Sequence, residues 1–439
     1  MSYVNSDLFA KEQTKTAIMH YDYMVLAGTQ GINNHKKLDR MIDVIRGLQV
    51  PLIFFCEGGG GRPGDVDAGD QNIAGLNIPS FHDFARLSGE VPLVGIGSGR
   101  LFAGNAALLG CCDVIIGTRD LNLGMGGPAM IEGGGLGVYK PEEVGPTSVQ
   151  YPNGVIDILV DNEDDAIVIA KKYLSYFQGN LGSWEAPEVE NLRYVIPENR
   201  LEVYDIREVI DNIADIGSVL EIKAGFAKGM FTGFIRVKGK PLGLIANNPL
   251  FLAGAIDSDG ADKASRFIKI CENYNIPILS LCDTPGMMVG PEIEETGLVR
   301  HCCRLFLAGA NVTVPMMTIV LRKAYGLGAQ AMAGGSFMAP QFVVGWPTAE
   351  IGAMGLEGAV KLGYRKELEA ESDVEKKEKL FKKLVDDLYE KGKAINAASL
   401  LEFDTVLDPI ESRDWISMVV ESPINSSEKV PKNRYIDSW

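Results

Sequence analysis

The sequence predicts an α/β protein of two tandem domains built on one plan, and three observations carry that expectation. The chain repeats itself. PLIFFCEGGGG at 51–61 is matched by PILSLCDTPG at 277–286, each a proline, a short apolar run, a cysteine, an acid and a Gly-containing turn. VPLVGIGSGRLFAGNAALLG at 91–110 is matched in the same way by VPMMTIVLRKAYGLGAQAMAG at 314–334, at nearly the same distance downstream. Similar elements at similar spacing mark a duplicated supersecondary unit. The apolar runs are continuous, as in parallel strands covered on both faces, and amphipathic stretches separate them. Finally, 439 residues exceed what one core ordinarily organises.

The elements follow in order. KTAIMHYDYMVLAGTQG holds a strand and a Gly turn. KKLDRMIDVIRGLQ places Leu38, Met41, Ile42 and Ile45 at helical spacing, and Pro51 opens the buried strand LIFF. The loop EGGGGRPGD, a helix near 80–88 and a strand at Leu93–Ile96 come next, and the turn FAGN runs straight into the helix AALLGCC. The second copy reads alike. VKGKPLGLIANNP is a strand, DKASRFIKICENYN a helix and IPILSLC a strand. DTPGMMVGPEIEE is the loop, and a helix near 292–308 is opened by Glu292, Glu294 and Glu295. A strand at Met316–Val320 and YGLG lead into AQAMAG. Strand, helix, strand with buried strands means right-handed parallel crossovers. Residues 186–200 are polar and weakly periodic and read as a linker between domains 1–185 and 201–439. The charged segment 365–393 reads as a surface helix whose Leu380, Phe381, Leu384 and Leu388 share one packing face.

Composition narrows the function. A net charge of −16 disfavours nucleic acid as partner. Seven cysteines in an odd count, without a CxxC pair, suggest free thiols in a reducing, cytoplasmic setting and no zinc site. No apolar run is long enough to suggest a membrane span, and the N-terminus has no apolar signal core. The four histidines fit no metal-ligand pattern, GSGRL at 97–101 is not a nucleophile elbow, and GGGGRPGD lacks the Lys-Ser/Thr of a phosphate loop. Glu57, Asp65, Asp283, Glu294 and Glu295 lie near the Gly turns, where acids ordinarily cap helices. What remains is main-chain chemistry. FAGN at 102–105 and GLG at 326–328 each place amides at a helix start, where they lack partners and can face a negative oxygen. Singly, such glycines serve only to turn a strand into a helix. Occurring at matched places in a duplicated plan, they point to function.

Four ordered blocks of the second half resemble the carboxyltransferase subunits of biotin-dependent acyl-CoA carboxylases, such as propionyl-CoA carboxylase beta chains. They are YDIREVIDNIADIGSVLEIKAGFAKGMFTGFIRVKGKPLGLIANNP (204–249), DKASRFIKICENYNIPILSLCDTPGMMVG (262–290), RKAYGLGAQAM (322–332) and WPTAEIGAMGLEGAV (346–360). The first half is similar through GTQG, EGGGGRPGD, AGNA and PEEVG. The resemblance implies two tandem crotonase-like (ClpP/crotonase) domains of repeated ββα spiral units. It implies an acyl-CoA enolate held by the amides of Gly104 and Asn105, and a carboxybiotin carbonyl polarised by Leu327 and Gly328, flanked by Gly326. The substrate-contacting candidates are then Gly58, Gly59, Gly60, Ala103, Gly126 and Gly127 in the first half. In the second they are Asp283, Pro285, Gly286, Tyr325 and Gln330.

The same resemblance implies coenzyme A as part of the substrate and biotin on a separate carrier, since the chain has neither a biotinylation Ala-Met-Lys-Met sequence nor an ATP-grasp region. It implies a biotin carboxylase and a biotin carboxyl carrier subunit as partners, and a homo-oligomer, commonly a hexamer. There are departures. Several dozen N-terminal residues usual in the family, which help form the CoA site, do not precede Met1. GPTSVQYPNG (145–154) replaces a Gly-Gly-Ala…His stretch, Gln330 replaces an acid, and Asn105 replaces a glycine, which would push a side chain into the acyl pocket. Two other readings stay open: a biotin-independent crotonase-type decarboxylase, hydratase or isomerase of acyl-CoA, and a non-catalytic subunit paired with an active paralogue.

Overall fold

A computed structural model describes residues 1–62, 64–65, 67, 76–422 and 435–439. These residues form two compact units. One comprises 1–182, 220–226 and 435–439; the other comprises 183–219 and 227–422. Residues 189–193 form a 3-10 turn, and Leu192 and Ile196 are buried in the core of the second unit.

The strands of the first unit are β1 (Ser2–Tyr3), β2 (Lys15–His20), β3 (Leu52–Phe55), β4 (Leu93–Gly97), β5 (Arg100–Phe102), β6 (Val114–Thr118), β7 (Asn122–Gly124), β8 (Ile158–Val160) and β9 (Leu220–Glu221). Six of them make one sheet in the order β1-β2-β3-β4-β6-β8, parallel except for β1. The continuous apolar runs follow from that arrangement, because Leu52, Ile53, Phe54, Leu93, Val94 and Ile96 are all buried. Leu38, Ile42 and Ile45 of the helix Ile32–Leu48 share one core with Leu52, Phe54 and Leu93. Each such side chain contributes about 1.5–3 kcal/mol through burial. Apart from this sheet, β5 and β7 pair in parallel as a two-stranded ribbon.

The second unit contains β10 (Met230–Val237), β11 (Lys240–Asn247), β12 (Ile278–Thr284), β13 (Met316–Tyr325), β14 (Phe342–Gly345), β15 (Glu350–Gly352) and β16 (Thr405–Val406). Its sheet runs β16-β14-β13-β12-β11-β10, with β15 added to the far end of β13. It differs from the sequence expectation in three places. The stretch expected as one strand before Asn247 is the second arm of a hairpin. Lys238 (φ 52°) and Gly239 (φ 77°) supply the two left-handed residues of its tight turn. The helix expected over 292–308 is two, Pro291–Glu294 and Leu298–Ala310, parted by Gly297 at φ 77°. The charged segment also divides, into Arg365–Ala370 and Val374–Gly392. The side chain of Asp373 caps the second helix by accepting from the amides of Glu375 and Lys376. Its apolar face packs as expected: Leu380, Phe381, Leu384 and Leu388 cover Leu356, Val360 and Leu368 of their own unit. Among the described residues, no helix is long and apolar enough to cross a membrane.

Candidate active site

In the first unit β3 is followed by Cys56, Glu57 and a turn of glycines that two other segments hold. The Gln30 amide donates to the carbonyl of Gly60 (2.7 Å), and the Arg62 amide donates to the carbonyl of Gln30 (2.8 Å). The Gly58 amide donates to Arg100 O (3.1 Å) and its carbonyl accepts from the Phe102 amide (2.9 Å), which ties the turn to β5. No side chain fits at Gly58 or Gly60. A Cβ on Gly58 would collide with the Gly28 carbonyl, and one on Gly60 would stand 3.1 Å from the Gly104 nitrogen. The chain then passes from β5 into the helix Gly104–Gly110 through a single residue, Ala103, at φ 53° and ψ −124°. Such a conformation costs an L-residue about 1–3 kcal/mol and collects at functional sites. It leaves the amides of Gly104 and Asn105 with no carbonyl four residues back, and no described group accepts from them.

The second unit holds its turn with the same pair of bonds. The Ile256 amide donates to Gly286 O (3.1 Å), and the Met288 amide donates to Ile256 O (2.8 Å). Tyr325 of β13 stands opposite Gly352 of β15 as Phe102 of β5 stands opposite Gly124 of β7. Gly326, at φ 56°, occupies the place of Ala103 and is itself the first residue of a helix of equal length, Gly326–Met332. By that register Gly104 corresponds to Leu327 and Asn105 to Gly328. A left-handed triplet lies beneath each site: Leu26, Ala27, Gly28 in one and Leu252, Ala253, Gly254 in the other, every φ between 49° and 86°. Sequence reasoning does not single out these loops, although the tripeptide Leu-Ala-Gly, shared at both, is the signal that marks them.

The candidate residues fall into four groups. Gly58, Gly60, Ala103, Gly104 and Asn105 converge, and Gly127 packs on Phe102 beside them. Gly286 and Gly328 meet backbone to backbone, a Cβ on Gly328 lying 2.7 Å from the Gly286 Cα, with Gly326 and the exposed Leu327 next in line. Gly59 is at the surface, its amide on Ala27 O; Gly126 faces Met130, Pro285 is half-buried, and Gln330 is exposed. Asp283 and Tyr325 point inward. Asp283 is fully buried, accepting from Arg322 Nε (3.1 Å), the Tyr204 hydroxyl (2.8 Å) and the Lys323 amide (3.1 Å). The Tyr325 hydroxyl donates to Glu350 Oε1 (2.6 Å). The side chain of Asn105 does not enter an acyl pocket, contrary to expectation. It is fully buried and turned beneath the glycine turn.

Charge at the two sites is set by burial. Burial pushes the half-buried Glu57 carboxyl above its ordinary range, and Glu163, Asp120 and Asp22 add to the shift. Glu57 also lines a cavity of about 670 Å³ with His20, Tyr21, Phe55, Ile96 and Ser98, beside the glycine turn. Burial likewise raises Glu350, against the Tyr325 hydrogen bond and Arg200, and lowers Lys323, whose ammonium lies 3.5 Å from the Ala253 carbonyl. Among the described residues, no group of three His, Cys, Asp or Glu could hold a metal ion.

Residues 13–435 match the family described as the carboxyl transferase domain. The chain belongs to that family. This carboxyl transferase is 32% identical over 428 residues to the methylmalonyl-CoA carboxyltransferase 12S subunit of Propionibacterium freudenreichii subsp. shermanii, covering 94% of this chain and 79% of that one. The solved transcarboxylase 12S, a hexamer crystallised with methylmalonyl-coenzyme A, aligns with a TM-score of 0.81 at 30% identity over 94% of this chain and 80% of that one. A single-chain, multi-domain long-chain acyl-CoA carboxylase aligns with a TM-score of 0.90 at 52% identity over 95% of this chain, which spans only 41% of that longer protein. The carboxyl transferase therefore has the two-domain crotonase-like fold that the resemblance implied.

Two substitutions separate scaffold from site in this carboxyl transferase. Asp283→Ala strands a buried Arg322 and should destabilise the second unit by about 3–5 kcal/mol in urea unfolding. Gly254→Ala drives a methyl into the Asp283 carbonyl at φ 86° and should cost about 1–3 kcal/mol. A loss below about 0.5 kcal/mol in either contradicts the packing described.

Proposed function

We propose that the chain transfers a carboxyl group from carboxybiotin to the α carbon of an acyl-CoA, holding the acyl group as its enolate on main-chain amides. The observation that carries this reading is the pair of matched helix starts. Each is entered through one left-handed residue and each presents two amides without an acceptor among the described residues. Family membership supports it, and so do relatives named for carboxyl transfer to acyl-CoA thioesters.

Gly104 and Asn105 donate to the thioester oxygen as it gains negative charge on loss of the α-proton. Leu327 and Gly328, flanked by Gly326, present the corresponding amides to the ureido oxygen of biotin. Carboxybiotin supplies the carbon dioxide and, once decarboxylated, a nitrogen base, so the chain needs no dedicated side-chain base. The enolate carbon bonds to carbon dioxide, and the α-proton passes to the biotin nitrogen. Each donor contributes about 2.7–4 kcal/mol to the transition state when aimed at the developing oxyanion. The higher identity to a long-chain acyl-CoA carboxylase than to the methylmalonyl-CoA enzyme favours a long acyl chain as substrate. By analogy with the hexameric transcarboxylase 12S the chain works as a homo-hexamer, together with biotin carboxylase and biotin carboxyl carrier functions.

Incubation with ¹⁴C-bicarbonate, ATP, biotin carboxylase and a biotinyl carrier should label a long-chain acyl-CoA, and omission of the carrier should abolish labelling. Turnover of an acyl-CoA by the chain alone would instead establish a biotin-independent lyase. Gly104→Pro removes one donor and should lower kcat by about 100- to 1000-fold. A folded Gly104→Pro protein with near-normal turnover contradicts the assignment.

A further inference from the structure

The two units meet one requirement by different means. In each, the turn after a buried strand contains a glycine, Gly60 or Gly286, whose amide has no backbone acceptor among the described residues. In the second unit the hydroxyl of Thr284 accepts from the Gly286 amide at 3.1 Å, and Gly328 lies against the same turn with no room for a side chain. The first unit has Gly58 where the second has Thr284, so no hydroxyl is available. It also has Asn105 where the second has Gly328. The carboxamide of Asn105 fills that space. Its Oδ1 accepts from the Gly60 amide (2.9 Å), and its Nδ2 donates to the carbonyls of Glu57 (3.1 Å) and Gly28 (3.3 Å). Thr-and-Gly in one unit is exchanged for Gly-and-Asn in the other. Buried polar groups in a fully paired network of this kind hold one arrangement of the segments that they join.

We infer that the Asn105 side chain is the positioning residue of the first site, pinning the turn 57–60 and the left-handed triplet 26–28 against the helix start. This inference rests on the proposed function, in which the same residue's amide faces the substrate while its side chain works from behind. Removal of the carboxamide leaves that amide in place and frees the turn, so the loss falls on the aim of the donors. Gly60 then drifts relative to Gly104, whose nitrogen a Cβ on Gly60 would approach to 3.1 Å.

The full-length chain with Asn105→Ala, and with Asn105→Gly should the alanine variant fail to fold, tests this in two ways. Hydrogen exchange by mass spectrometry should show amides of the turn 57–61 exchanging at least about 10-fold faster, with the helix Ile32–Leu48 unchanged. In the carboxylation assay kcat should fall about 10- to 100-fold, with KM for the acyl-CoA within about threefold of the parent. Unchanged exchange at the turn overturns the inference, as does accelerated exchange with parental kcat. The exchange result stands even where the parent protein transfers no carboxyl group, so a failure of the functional reading is told apart from a failure of this one.

Discussion

A single left-handed residue between a strand and a helix governs both sites. Ala103 in one unit and Gly326 in the other turn the chain so sharply that the helix begins at once. A gentler turn would give the first helical amides a loop carbonyl or a side-chain cap. Here neither helix start has a side-chain cap, and the amides of 104–105 and 327–328 have no acceptor among the described residues. The cost is met by the parallel ribbon that precedes each bend. The Ala103 amide donates to Gly124 O (3.1 Å), so β7 holds the strained residue, and β15 braces β13 in the same manner.

Around that bend, glycine is required by proximity. Gly28 and Gly58 approach each other's backbone, as do Gly254 and the Asp283 carbonyl, and Gly286 and Gly328. These contacts compress three chain segments into a space that any Cβ would exceed. The acids nearby then take structural roles. Asp283 neutralises Arg322 inside the core, and Glu350 holds Tyr325. The scarcity of reactive side chains at the convergence of these loops is what the proposed chemistry requires, because a preorganised amide acts without a proton transfer of its own.

Much of this was legible in the residues. Continuous apolar runs at Leu52–Phe55 and Ile278–Leu281 marked parallel strands buried on both faces. The matched pairs of Gly turns marked the duplication. The pairings of β5 with β7 and of β15 with the end of β13 were not legible, because the three-residue strands β5, β7 and β15 carry too few side chains to show a period. The hairpin before Asn247 escaped for a related reason: its left-handed turn uses Lys238, a residue that signals no turn. Asn105 was misjudged because sequence gives the identity of a side chain and not its direction. Its inward orientation depends on Gly58 and Gly60, far away in the chain, leaving a space that only a carboxamide fills with all its hydrogen bonds made.

The most direct measurement is a crystal structure of the protein with a long-chain acyl-CoA bound. The account predicts the thioester oxygen about 2.7–3.1 Å from the amide nitrogens of Gly104 and Asn105, with no side-chain donor at that oxygen. A thioester oxygen held by a side chain, or an acyl group bound away from the start of the helix Gly104–Gly110, would contradict it.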